Sequence, residues 1–336
     1  MRAIVLHEVG GPSKLQLEEV ETPVAGPGEM LVKVDFAAFN RRDVFITQGL
    51  YPGIVFPVIP GSDACGVVAA HGAGASGPAV GANVVLDPTI GWGENPRVWR
   101  ADSTLLGMPR HGTFAEYVTV PAENVHPKPA RLSGAQAAAI PLAGVTAYRA
   151  LFTRGGCTKD DVVLLPGIGG GVQTFALLFA KAAGARVVVT SSSDAKLERA
   201  EALGADVAIN YKTSENWTKE VRAASGGGPS LVVDAAGGET LARVLDIARY
   251  GARVVVYGGT NGDAKIRPFS VFWKQLDVLG SSMGSPADFA AMLELFNAGS
   301  LEPAIDEIVP LSAVPAAAQR VLEGEQFGKI VVAVAG

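Results

Sequence analysis

The segment that decides the fold runs from Asp161 to Tyr211 and reads DVVLLPGIGGGVQTFALLFAKAAGARVVVTSSSDAKLERAEALGADVAINY. Its first apolar run, Val162 to Leu165, is typical of a buried parallel strand, and a glycine-rich turn follows directly. Apolar residues then recur at steps of three and four, which predicts a helix of about three turns. Arg186 to Val189 supply a second strand. This order suits a diphosphate, because glycines admit the anion and the helix N-terminus offers unpaired N–H groups.

The alternation of strands and helices continues after this unit. A helix is predicted at 195–203 and a strand at 207–209. Two further apolar runs lead into small residues: 231–233 is followed by Asp234 and Gly237-Gly238, and 254–256 is followed by Gly258-Gly259. Strand ends of this kind are where ligands lie in an open parallel sheet. A glycine triplet alone is more often a flexible turn, but this context favours a bound dinucleotide in a doubly wound α/β domain.

The end of the second strand indicates which dinucleotide binds. NAD sites usually carry an acidic residue there, about twenty residues after the turn, whereas this chain has Ser191, Ser192 and Ser193. Lys196 and Tyr211 lie within reach of a 2′-phosphate, although Lys196 suits a solvated helix face equally well. We interpret Asp194 as a helix N-cap in preference to a ribose ligand. The prediction is NADPH.

Composition restricts the class of protein. The chain has 336 residues, a formal net charge of −5, four histidines and two cysteines. This length suits two domains, and the absence of a basic cluster argues against nucleic acid or an anionic membrane as a partner. Cys65 and Cys157 fit no paired-ligand spacing, and the apolar run after Met1 is too short for a signal sequence. We expect a cytoplasmic protein.

The regions on either side of the nucleotide-binding segment have a different texture. Residues 30–36 alternate between apolar and polar, which predicts a half-buried strand, and further strands are predicted at 66–70, 84–86 and 113–120. After Met283 come two helices and a strand at 329–334. We therefore predict one domain from 1–144 and 283–336, and a nucleotide-binding domain at 145–282. A cleft between them is expected.

Several motifs carry a family resemblance over essentially the whole chain. They are Asn40-Arg41-Arg42-Asp43, Gln48-Gly49-Leu50-Tyr51-Pro52, Pro60-Gly61-Ser62-Asp63-Ala64-Cys65-Gly66, Gly112-Thr113-Phe114-Ala115-Glu116-Tyr117, Pro141-Leu142-Ala143-Gly144-Val145-Thr146-Ala147-Tyr148, Ala202-Leu203-Gly204-Ala205-Asp206, Asn210-Tyr211 and Gly328-Lys329-Ile330-Val331. The set resembles the medium-chain dehydrogenase/reductase superfamily, nearest its quinone oxidoreductase-like branch. The resemblance implies a GroES-like catalytic domain, a Rossmann NADP-binding domain and a homodimer.

The resemblance also shows where this chain departs from zinc enzymes of the superfamily. They have a cysteine in place of Asn40 and a His-Glu pair in place of Ser62-Asp63, and the segment 87–112 lacks the cysteines of their structural-zinc lobe. The substitutes are poor zinc ligands. We expect no metal. Gln173 stands where relatives often have a further glycine.

Site residues follow from the glycine turn and from the resemblance together. The cofactor-binding set predicted for NADPH is Thr146, Gly167, Gly169, Gly170, Gly171, Val172, Ser191, Ser192, Lys196, Tyr211, Gly258 and Lys329.

The catalytic candidates are Asn40, as a donor to the substrate oxygen, and Tyr51, as a proton donor. Asn40 is almost as readily a turn residue, and the packed-loop interpretation of Tyr51 is preferred over a catalytic one. Asp63 and Arg42 are expected to form an ion pair. Without a Lewis acid, the acceptor must be polarised by its own carbonyl, as in a quinone or an α,β-unsaturated carbonyl compound. Two alternatives stay open: a zinc-type alcohol dehydrogenase with atypical ligands, and a catalytically weak NADPH-binding protein resembling some lens crystallins.

Overall fold

The computed structural model describes residues 1–335, which form two compact units. One contains Met1–Val145 and the residues from Gly284 onward, and the other contains Thr146–Met283. The boundaries expected from the sequence, 144/145 and 282/283, each lie one residue before the observed ones. Among the described residues, no helix is both long enough and apolar enough to cross a membrane.

The strands and helices are numbered in chain order. The strands are β1 (Arg2–Leu6), β2 (Leu15–Glu19), β3 (Glu29–Ala38), β4 (Asp63–His71), β5 (Asn83–Leu86), β6 (Thr89–Ile90), β7 (Thr104–Leu106), β8 (Pro109–Arg110), β9 (Tyr117–Pro121), β10 (Val125–Pro127), β11 (Val162–Leu165), β12 (Arg186–Ser191), β13 (Val207–Asn210), β14 (Leu231–Asp234), β15 (Arg253–Val256), β16 (Asp277–Gly280), β17 (Ile305–Pro310) and β18 (Lys329–Ala333). The helices are α1 (Arg41–Thr47), α2 (Gly134–Ala139), α3 (Pro141–Tyr148), α4 (Gly171–Ala182), α5 (Asp194–Ala202), α6 (Trp217–Ala224), α7 (Gly238–Ile247), α8 (Pro268–Phe272), α9 (Pro286–Ala298) and α10 (Val314–Glu323).

The GroES-like unit is built on a sheet ordered β10-β5-β4-β3-β18-β17, with β9 also paired to β3. The alternating pattern of β3 is confirmed, because Met30, Val32 and Val34 are buried on one face and join the core of this unit. The strand expected at 113–120 begins later, at Tyr117, because the backbone of Thr113 and Phe114 bonds instead to Gly61 and Pro60. The C-terminal strand β18 pairs antiparallel with β3.

The Rossmann unit contains a fully parallel sheet ordered β13-β12-β11-β14-β15-β16. The interior strands β11 and β12 are buried almost throughout, as their unbroken apolar runs predict. The chain order reverses between β11 and β14, so ligands are expected outside the carboxyl ends of these two strands. Strand β16 lies at one edge of this sheet.

Candidate functional site

Strand pairing brings three distant polar residues to one end of the GroES-like sheet. The partner of Ala38 on β4 is Asp63, and its partner on β18 is Val331. Asn40 follows β3 by two residues and Lys329 precedes Val331 by two, so the antiparallel register places them opposite each other. The backbone N–H of Phe39 donates to the carbonyl of Ile330 at 3.0 Å, which fixes this register.

The three side chains form a closed hydrogen-bonded cluster, which we call the Lys329 cluster: Asn40, Asp63 and Lys329. The Lys329 Nζ donates to Asn40 Oδ1 at 2.7 Å and to Asp63 Oδ2 at 2.8 Å. Asn40 Nδ2 donates to the same Asp63 oxygen at 2.9 Å, and the second Asp63 oxygen accepts from the Leu142 backbone at 2.8 Å. Lys329 is 2 % exposed and Asp63 0 %. Such burial of two charges is tolerated only with paired and hydrogen-bonded partners.

A second cation lies beside this cluster. The Arg42 guanidinium donates to Ser62 Oγ at 2.5 Å and to the carbonyl of Leu106 at 2.7 Å. Its Cζ lies 5.0 Å from the centre of the Tyr51 ring, within the range of a cation–π contact. The predicted Arg42–Asp63 ion pair is wrong, because Lys329 is the cation that reaches Asp63.

The Asp43 carboxylate fixes the Asn40 backbone through a hydrogen bond. Its Oδ2 accepts from the Asn40 N–H at 2.8 Å, at the start of α1. Burial raises the pKa of Asp43 to about 6, and the nearby positive charge of Arg42 opposes this shift. The predicted catalytic residues Asn40 and Tyr51 are therefore both anchored, Asn40 by hydrogen bonds and Tyr51 by the Arg42 guanidinium.

Zinc does not fit the residues that stand at its family positions. The side chains of Asn40, Ser62 and Asp63 offer amide, hydroxyl and carboxylate oxygens as ligands. Zinc prefers sulfur and imidazole ligands. Each of the three is already bound to a side-chain cation, Lys329 or Arg42. Among residues 1–335, no group of three or more His, Cys, Asp or Glu is arranged to hold a metal ion.

In the Rossmann unit, the glycine turn leaves room for a diphosphate. Gly167 has a φ of 71°, which favours glycine, and a side-chain carbon built there would meet no atom within 4 Å. A side-chain carbon built at Gly170 would also meet no atom within 4 Å. Gly170 is the N-cap of α4, and as a glycine it has no side chain to cap the helix. Gln173 does not obstruct this turn, since its Nε2 donates to the Val233 carbonyl at 2.9 Å. The residues present therefore fit a dinucleotide.

The end of β12 differs in one detail from the prediction. The N-cap of α5 is Ser193, whose hydroxyl accepts from the Lys196 backbone at 3.4 Å. Asp194 is the first helical residue instead, and its carboxylate accepts from Asn210 at 2.6 Å. Its predicted role as N-cap is therefore wrong. Ser191 is buried, Ser192 is exposed, and the Tyr211 backbone N–H donates to the Ser191 carbonyl at 3.0 Å.

The other predicted cofactor residues are dispersed over the chain. Thr146 lies on α3, Gly171 and Val172 begin α4, and Gly258 follows β15. Lys196 lies with its side chain against Gly169. Lys329 belongs to the GroES-like unit, and its contact with the cofactor stays a prediction. Its pairing with Asn40 and Asp63 was missed, because nothing in the local sequence indicates which strand β18 joins.

The comparisons with known proteins cover both units. A model of the alcohol dehydrogenase GroES-like domain matches residues 26–130, and a model of zinc-binding dehydrogenases matches residues 171–298. A zinc-type alcohol dehydrogenase-like protein of Leptosphaeria maculans is 37% identical, over 95% of this chain and 94% of its own length. A protein of the same description from Schizosaccharomyces pombe is 34% identical, over 99% of both chains.

Solved structures give the same assignment of the fold. The crystal structure of an NAD-dependent alcohol dehydrogenase superposes with a TM-score of 0.93 at 36% identity and covers 100% of both chains. A crotonyl-CoA carboxylase/reductase in complex with NADP superposes with a TM-score of 0.89 at 26% identity, over 99% of this chain and 94% of that one. Both kinds of nicotinamide cofactor therefore occur among the similar proteins.

Proposed function

Because this chain belongs to the medium-chain dehydrogenase/reductase superfamily, whose members are oxidoreductases that use a nicotinamide cofactor, we propose that it reduces a quinone or an α,β-unsaturated carbonyl compound with NADPH and without a metal ion. The observation that carries this proposal is the Lys329 cluster. Side-chain cations already hold the oxygen atoms at the family's zinc positions. An enzyme without a Lewis acid is suited to an acceptor whose own carbonyl group makes it electrophilic.

The proposed roles divide between cofactor and protein. When bound, the cofactor supplies a hydride to the electron-poor carbon of the acceptor. Asn40 stabilises the negative charge that develops on the acceptor oxygen, by donating a hydrogen bond from Nδ2. Tyr51 donates a proton where the product requires one, and Arg42 holds its ring in place.

The preference for NADPH rests on the end of β12. Ser191 and Ser192 leave this position without a carboxylate, and Lys196 supplies a positive charge nearby. Titration of NADPH and NADH tests the preference, with Ser192→Asp as the variant that restores an acid. We expect tighter NADPH binding by the wild type and a shift towards NADH in Ser192→Asp. Equal affinities, or tighter NADH, would contradict the proposal.

A substrate panel tests the reaction itself. Oxidation of NADPH is followed with a quinone, an enone and an enoyl thioester, before and after chelation, and elemental analysis measures the zinc content. We expect turnover with at least one acceptor and no dependence on metal.

We also propose that the protein is cytoplasmic and that it has no nucleic-acid partner.

A second candidate is alcohol oxidation, because the similar proteins of Leptosphaeria maculans and Schizosaccharomyces pombe are described as zinc-type alcohol dehydrogenase-like. Oxidation of alcohols with NAD⁺ or NADP⁺, together with one required zinc ion per chain, would replace the metal-free proposal. Cofactor binding without turnover of any acceptor would instead favour the NADPH-binding protein without catalysis.

A further inference from the structure

The orientation of the Asn40 amide is fixed by chemistry. Lys329 has only donors at its ammonium and ionised Asp63 has only acceptors, so the amide oxygen must face Lys329 and the amide nitrogen must face Asp63. A flipped amide would place two donors together and two acceptors together. The described residues therefore allow one amide orientation.

This orientation leaves one amide hydrogen for another partner. Asn40 Nδ2 carries two hydrogens, and among residues 1–335 only Asp63 accepts from it. The side chain is buried but not sealed, at 7 % exposure. The ammonium also withdraws electron density through Oδ1, since linked hydrogen bonds polarise one another, and this makes the remaining N–H a stronger donor.

We propose that Lys329 is a positioning residue for the reduction step: its ammonium orients and polarises the Asn40 amide, so that the free Nδ2 hydrogen is directed at the acceptor oxygen. This inference rests on the proposed function. It assigns the buried lysine a role in the reduction step through Asn40, in place of a role through contact with the cofactor. A packed apolar pair in place of a buried ion pair is often neutral or stabilising, so stability alone is a weak reason for this cluster.

A thermodynamic cycle tests whether Lys329 acts through Asn40. Lys329 and Asp63 are replaced together, as Lys329→Met/Asp63→Asn, because Lys329→Met alone would leave a buried unpaired carboxylate. The four proteins are wild type, Asn40→Ala, the paired variant and the triple variant. The measured quantities are kcat with the best acceptor of the panel, the dissociation constant of NADPH and the thermal midpoint.

We expect the paired variant to lose kcat about tenfold or more, the scale of a weakened oxyanion donor, while NADPH affinity stays within about twofold. In the Asn40→Ala background the paired substitution should cost no further kcat. Losses that multiply would mean that Lys329 acts on the acceptor itself. Weaker NADPH binding, or an unchanged kcat in the paired variant, would also overturn the proposal.

A second readout needs no substrate. The chain has eight asparagines, so selective ¹⁵N-asparagine labelling gives few side-chain signals, and the Asn40→Ala variant identifies those of Asn40. We expect these signals to move upfield in the paired variant. The matched control is Arg253→Met/Asp161→Asn, which removes an ion pair in the Rossmann unit and should leave them unchanged.

The two readouts separate this inference from the proposed function. A wild type that reduces no acceptor refutes the proposed function, whereas Asn40 signals that stay in place in the paired variant refute the positioning of Asn40 by Lys329.

Discussion

The Asn40 side chain takes part both in the hydrogen bonds of the Lys329 cluster and in the proposed reduction step. Asn40→Asp keeps an oxygen acceptor for Lys329 but removes the amide donor, and Asn40→Ala removes both. We expect either variant to lower kcat by about tenfold to a thousandfold, because one oxyanion donor is lost. NADPH affinity should barely change, as titration of both variants would show. A loss explained wholly by weaker NADPH binding would remove Asn40 from the proposed mechanism.

Replacement of Tyr51 should affect the reduction of two classes of acceptor to different extents. Its ring contacts the Arg42 guanidinium, and Tyr51→Phe keeps that contact while removing the hydroxyl. A reduced quinone takes protons from water through its oxygens, whereas an enone needs a proton at carbon. We therefore expect Tyr51→Phe to slow enone reduction more than quinone reduction in steady-state kinetics. Equal effects on both substrates would assign Tyr51 to packing.

Asp87 makes the stability of the GroES-like unit depend on pH. Burial raises the pKa of Asp87 from 3.8 to about 7, and the charges of Asp288 and Glu123 add to the shift. A raised pKa in the folded state means that the contribution of Asp87 to stability is complete below about pH 4 and is lost as the pH rises through about 7.

Asp87→Asn removes this ionisation and keeps the oxygen that accepts from the Thr89 N–H. We expect the variant to be more stable than wild type at pH 8 by up to roughly 4 kcal/mol, at about 1.36 kcal/mol per pKa unit, and to gain little near pH 4. Urea unfolding at both pH values measures the difference. Asp160→Asn, at an exposed carboxylate, is the control. A gain of the same size at both pH values would show that the charge of Asp87 is not responsible.

At the scale of the element, the glycine turn between β11 and α4 makes the sharpest prediction. Gly167→Ala adds a methyl group where the backbone has a φ of 71° and where the diphosphate is proposed to lie. Gly226→Ala is a matched control, because Gly226 has a φ of 62° and also has open space around it. We expect both variants to lose about 1 kcal/mol of stability through backbone strain, but only Gly167→Ala to weaken NADPH binding. Equal NADPH affinity in the two variants would place the phosphate elsewhere.

The elements differ in how far the sequence alone predicts them. The strand, turn and helix around Gly167 depend on local patterns, and the structure confirms all three. The N-cap of α5 was misplaced by one residue, because serine and aspartate both cap helices and only the backbone decides between Ser193 and Asp194. The hydrogen-bond partners of Lys329 are a different case, and its predicted contact with the cofactor stays a prediction. These partners depend on the register of β18 against β3, a pairing across 289 residues that no local pattern contains.

At the scale of the whole molecule, the edge of the Rossmann sheet points to self-association. Among residues 1–335, strand β16 pairs with β15 alone, so its other side is open to a further strand. Several large apolar side chains on and before this strand are exposed: Phe269, Phe272, Trp273 and Val278. Phe269 and Trp273 stack with ring centres 5.4 Å apart. A cluster of this kind marks an interaction surface more often than solitary exposed residues do.

We propose that a second copy of the chain covers this edge, which gives the homodimer that the family resemblance implies. Light scattering at micromolar concentration should show a dimer for the wild type. Trp273→Glu and Val278→Lys should shift it towards monomer, because each would bury a charge in the interface without a partner. Val24→Glu is the matched control, since Val24 is 87% exposed and belongs to the GroES-like unit, whereas β16 belongs to the Rossmann unit. A wild type that stays monomeric, or a dimer that both edge variants leave intact, would mean that β16 does not mediate association and that the aromatic cluster serves another contact.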